Sequence, residues 1–141
     1  SIGIEIWNTG HEYDLEDFRP AQIESVIALI RDIRTRWDIP DRNIVGHSDI
    51  APGRKLDPGE KFPWATLADA GIGVMPRGLG GSSSSLDFYE GLVRYGYTYP
   101  AAPATVLTEF RRHFCPSLLA EPHITPRDHA VLIDILAQIP S

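Results

Sequence analysis

A single cysteine, Cys115, excludes an intrachain disulfide, so the fold has to be held by packing and polar contacts alone. No apolar run approaches the roughly 18 to 20 residues of a membrane-spanning helix. Basic residues are outnumbered, 13 Lys and Arg against 19 Asp and Glu, and the net charge of -6 excludes a general nucleic-acid surface, which is basic. An initiator methionine and a signal peptide are also missing. From that we expect the product of a longer precursor, either nicked, with its N-terminal piece as a separate polypeptide partner, or truncated. What remains is globular in character: 141 residues, 43% hydrophobic and 23% charged, enough for one ordinary domain or two small ones.

Ile2, Ile4 and Ile6 alternate with Gly3, Glu5 and Trp7, the period of a strand with two different faces. Glu5 projects opposite the isoleucines, either toward water on an edge strand or into a site. Residues 8–19 are polar and read as a loop leading out of that strand. From Pro20 the period becomes helical, with Ile23, Val26, Ile27, Ile30, Ile33 and Trp37 forming one stripe. Arg31, Arg34 and Arg36 fall mostly off it, as a solvated face. Residues 38–43 return the chain to a second strand ending at Ile44 and Val45, so strand, helix and strand predict a parallel crossover.

After Val45 the sequence Gly46-His47-Ser48-Asp49-Ile50-Ala51-Pro52-Gly53-Arg54-Lys55-Leu56-Asp57-Pro58-Gly59 is too rich in Pro and Gly for a regular element. His47 therefore stands where a buried strand opens into a rigid loop, with Lys55 and Asp57 following. An imidazole and a carboxylate on one loop suit a shared Zn2+. Spacing alone fits equally a strand-end His and an ordinary turn Asp.

This loop, with Phe62-Pro63-Trp64 after it and Ser1-Ile2-Gly3-Ile4-Glu5-Ile6-Trp7-Asn8 before it, resembles the zinc-dependent N-acetylmuramoyl-L-alanine amidases of the amidase type 2 family, and within it the AmiD type. That family shares its fold with peptidoglycan-recognition proteins. The resemblance covers about residues 1–75. It implies an α/β fold, a mixed sheet with flanking helices but without its N-terminal strand. It also implies hydrolysis of the amide between N-acetylmuramic acid and L-alanine in peptidoglycan or muropeptides. Position by position, His47 and Asp57 match two of three zinc ligands, Lys55 the cation beside the scissile amide, and Glu5 the catalytic carboxylate. The first ligand of the family is a His on a strand before the Glu5 strand, so the third ligand is expected upstream of Ser1 and not from His11, His113, His123 or His129. The family also implies a bacterial cell envelope location on the periplasmic side, with the cytoplasm as alternative. A non-catalytic peptidoglycan-binding module of the same fold is the rival reading, and an inactive fragment is the third.

Residues 63–70 predict a short helix closed by Gly71, with Phe62 and Trp64 as packing anchors. Residues 76–84 read as a linker. Residues 85–141 predict three short helices, the third opening at Thr125-Pro126 with Asp128 as capping-box partner. Leu92-Val93-Arg94-Tyr95-Gly96-Tyr97 resembles the helix end of peptidoglycan-binding three-helix domains. Tyr95, Tyr97 and Tyr99 are then core or rim aromatics, or glycan-docking groups. Cys115 reads as a small buried hydrophobe.

Overall fold

The computed structural model describes residues 1–78 and 85–140, and among these every regular element is helical. The helices are α1 (Pro20–Arg34), α2 (His47–Ile50), α3 (Trp64–Asp69), α4 (Phe88–Tyr95), α5 (Pro103–Phe114) and α6 (Pro126–Ala137), with 3-10 turns at His11–Tyr13, Asp41–Asn43 and Pro116–Leu118.

The mixed α/β sheet expected from residues 1–75 is therefore corrected: no strand is present among the described residues. The period-two alternation reports a side-chain face, but a strand also needs a neighbour to accept and donate its backbone bonds. The backbones at 2–8 and 44–45 pair with no such neighbour among the described residues. The apolar face is used all the same, since Ile4, Ile6 and Ile44 pack against the α1 cluster. The strand-helix-strand crossover falls with the sheet, and His47 is the first residue of a helical turn rather than the end of a strand.

Pro20 opens α1, where its missing N–H costs no intrahelical bond, and Ile23, Val26 and Ile30 form its buried face. They pack with Phe62, Trp64, Leu67 and Ile72, the last two only 1% and 2% exposed. Each such side chain contributes about 1.5 to 3 kcal/mol of transfer free energy. Arg31 and Arg34 are not a free solvated face. Arg31 donates to the Ala70 carbonyl and Arg34 to that of Gly71 and to Asp41, satisfying carbonyls that the end of α3 leaves open. Trp37 lies beyond the helix and is 60% exposed.

A second cluster joins α4, α5 and α6 around Phe88, Leu92, Phe110, Leu132 and Ile135. Helices α4 and α6 close at Gly91, where a Cβ would lie 2.7 Å from Leu132 Cδ2. At the start of α6, the Thr125 hydroxyl accepts from the Asp128 amide and Asp128 accepts from the Thr125 amide, a reciprocal cap. Asp128 also receives a bidentate pair from Arg111, Nε to Oδ1 at 2.9 Å and Nη2 to Oδ2 at 2.7 Å. Arg111 also donates to the carbonyls of Glu121 and His123. One buried guanidinium thus ties α5, the loop after it and the α6 cap. Of the predicted linker, residues 79–84 lie outside the described residues. Tyr95 and Tyr97 are buried core side chains, and Tyr99 is at the rim.

Candidate functional site

The loop 46–60 carries the predicted site. Its first turn is short because Pro52 and Gly53 stop α2, and it is held from within: Asp49 Oδ2 accepts from the Gly46 amide at 2.8 Å, closing the turn from its third residue. The Ser48 amide donates to the Asp57 carbonyl at 2.9 Å. This cross-loop bond sets the backbone beside His47 against that of Asp57. Their side chains then meet, His47 Nδ1 standing 3.1 Å from Asp57 Oδ2, with 41% and 65% of the side-chain surfaces exposed. A nitrogen and an oxygen donor converge on solvent, a combination that zinc accepts.

The other two predicted residues are not joined to this pair. Glu5 and Lys55 are exposed, and among the described residues their side chains make no hydrogen bond or ion pair. No third His, Cys, Asp or Glu assembles with His47 and Asp57 into a metal-binding group among the described residues. His11 is engaged elsewhere, with Glu60 at 2.7 Å, and His113 with Asp49 at 2.7 Å.

Beneath the exposed pair lies a buried set. Asp49, 7% exposed, accepts from Gly46 and His113 on Oδ2 and from the Tyr97 hydroxyl on Oδ1 at 2.6 Å. The His113 ring lies between Trp64, at 4.0 Å, and Phe114, at 3.9 Å, nearly parallel to both. Nδ1 faces the Asp49 carboxylate, and Nε2 is buried without a hydrogen-bond partner among the described residues. Burial, then the charge and hydrogen bond of Asp49, push the Tyr97 hydroxyl well above its ordinary range, so it remains a donor.

At the loop's far end, Arg112 Nη1 donates to Glu60 Oε2 at 2.6 Å and Arg112 Nε to Glu109 Oε2 at 3.0 Å. Burial alone would raise the Glu60 carboxyl. Hydrogen bonds from His11, its own amide and Arg112, with the His11 charge, outweigh it and hold the group at about 2. Burial dominates at Glu109, lifting it above its usual value despite Arg112. Burial also pushes the Cys115 thiol up to about 12, with Asp128 adding to the shift, so this thiol is no nucleophile at neutral pH.

The sequence assigns Asp49, Glu60, Arg112 and His113 no part in this set, and marks Tyr97 only as a core or rim aromatic or a glycan-docking group. His113 and Asp49 are 64 positions apart, beyond any local period. The available signal was the polar trio Glu109, Arg112 and His113 at helical spacing on an otherwise apolar segment.

With this geometry in view, comparison with known proteins places the chain. Residues 1–60 match the N-acetylmuramoyl-L-alanine amidase family, amidase type 2. It is similar to N-acetylmuramoyl-L-alanine amidase AmiD of Escherichia coli strain K12, 39% identical over 144 residues, covering 84% of this chain and 50% of that protein. Among solved structures, the complex of Escherichia coli AmiD with the substrate anhydro-N-acetylmuramic acid-L-Ala-D-gamma-Glu-L-Lys superposes with a TM-score of 0.74 at 34% identity, over 88% of this chain and 54% of that one. AmpDh3 of Pseudomonas aeruginosa in complex with anhydromuramic pentapeptide gives 0.79 at 32% identity, over 90% and 56%. The chain spans about half the length of these relatives.

Proposed function

We propose that this chain carries the catalytic loop of a zinc-dependent N-acetylmuramoyl-L-alanine amidase acting on peptidoglycan or muropeptides on the periplasmic side of a bacterial envelope. The observation that carries this is the exposed His47–Asp57 pair at 3.1 Å on one loop, within the stretch that matches the family.

Amide hydrolysis needs an activated water, compensation for charge on the carbonyl oxygen, and a proton for the leaving amine. His47 and Asp57 would supply two of the donors that hold the cation, with a further donor needed to complete the site. When bound, zinc supplies Lewis acidity and lowers the pKa of water toward about 7. Glu5, a carboxylate whose side chain has no partner among the described residues, would take the proton from the attacking water and return it to the amine nitrogen. Lys55, an exposed ammonium, compensates the oxyanion of the tetrahedral species. The bond broken joins the lactyl carbonyl of N-acetylmuramic acid to the nitrogen of L-alanine.

The test is metal content against sequence. Asp57→Ala and His47→Ala should each lose zinc on dialysis while remaining folded, and wild-type zinc content in either variant would remove that residue from the ligand set. A protein that binds muropeptide without cleaving it would be the binding module of the same family instead.

A further inference from the structure

Helix α5 carries two stripes. Val106, Leu107, Phe110 and Phe114 enter the second apolar cluster. Thr105, Glu109, Arg112 and His113 occupy the spacing i, i+4, i+7 and i+8, another single face, and each meets the loop 46–60. His113 donates to Asp49, Glu109 lies beside Ser48, and Arg112 binds Glu60. Thr105 backs the turn at Gly53, where a Cβ would lie 2.9 Å from Thr105 Cγ2. The loop is therefore fastened at its start, its turn and its end to one helix, while Lys55 and Asp57 between these points remain exposed.

We propose that α5 is the brace that sets the geometry of the His47–Asp57 pair, and that His113 is its principal positioning residue. The path is short. His113 fixes the Asp49 carboxylate, the same carboxylate oxygen holds the Gly46 amide next to His47, and the Ser48 amide between them holds the Asp57 carbonyl. A Gly- and Pro-rich loop has little regular structure of its own to limit its conformations, and a metal site tolerates displacement of only about 0.5 Å. The brace supplies that constraint from a helix well outside the stretch matching the amidase family. Its consequence for zinc and turnover rests on the amidase reading; the constraint on the loop does not.

The ring of His113 allows its two contributions to be separated. H113F keeps a flat ring between Trp64 and Phe114 but has no donor for Asp49. H113N restores a donor near the Nδ1 position and gives up the stack. On the natively expressed protein, folded by circular dichroism, amide hydrogen exchange over residues 46–60 is measured without metal, and zinc affinity by chelator competition. H113F should exchange faster in 46–60 than elsewhere and lose about 10- to 100-fold in zinc affinity, the usual effect of removing a group that orients a ligand. H113N should recover most of both. If H113F does not fold, Glu60→Gln, which loosens the loop at its partly exposed end, must show the same local exchange change. A folded H113F with wild-type exchange, wild-type zinc affinity, or an H113N variant no better than it, overturns the proposal. If the wild-type protein binds no zinc, the amidase reading fails, and exchange alone decides the brace.

Discussion

Gly46 and Pro58 approach so closely across the loop that a Cβ on Gly46 would lie 2.6 Å from Pro58 Cδ. Only glycine permits this, for steric reasons, since its φ of -85° is open to any residue. Gly46→Ala should push the two arms apart, carrying His47 away from Asp57. Overpacking of this kind costs about 1 to 3 kcal/mol, so the urea midpoint should fall and zinc affinity should fall with it. A variant with unchanged midpoint and unchanged affinity would show that the loop accommodates the methyl elsewhere.

Arg111 and Asp128 form a buried pair, with 4% and 0% of the side chains exposed. Losing one partner strands a charge and also frees two carbonyls and the α6 cap, and broken buried pairs cost about 3 to 5 kcal/mol. Arg111→Met should be among the most destabilising substitutions in the chain. Equilibrium denaturation checks it, and a loss below about 1 kcal/mol, typical of an exposed pair, would contradict the assignment.

Glu60 gives the pH dependence a sign. Its carboxyl titrates at about 2 in the fold against an ordinary 4.5, so the folded state favours the ionised form. That stabilisation is complete above the unfolded value and is lost as pH falls from about 4.5 toward about 2. The gap in urea stability between wild type and Glu60→Gln should be level above about pH 5 and close within that acid window. A gap independent of pH would remove Glu60 from the acid response.

Cys115 should be inert. With its thiol raised to about 12 and its side chain buried, it should react with a thiol reagent such as iodoacetamide only at the rate of global opening. Modification at the rate of a free cysteine would contradict the burial.

The sequence made some of this legible for physical reasons that differ by segment. The α1 stripe from Ile23 to Ile30 announces itself because the helical period and the buried face coincide. The Thr125–Asp128 cap is equally local. Ile4 and Ile6 disclose their apolar face but not their backbone state, since pairing is decided by residues far away. His47 and Asp57 gain meaning only from resemblance to a family, and the fold sets their side chains 3.1 Å apart. The Asp49–His113 contact was beyond reach, because only tertiary packing brings α5 under the loop.

The proposed activity is hydrolysis of the muramyl amide. The most direct measurement is incubation of the natively expressed protein, with zinc content determined, with an N-acetylmuramic acid-containing muropeptide, followed by mass spectrometry of the products, beside Glu5→Gln. The wild type should release a stem peptide with a free L-alanine amine and be suppressed by a zinc chelator, and Glu5→Gln should keep its zinc while losing at least about 100-fold in rate. Intact muropeptide after incubation with zinc-loaded wild type, or a Glu5→Gln variant at wild-type rate, would contradict it.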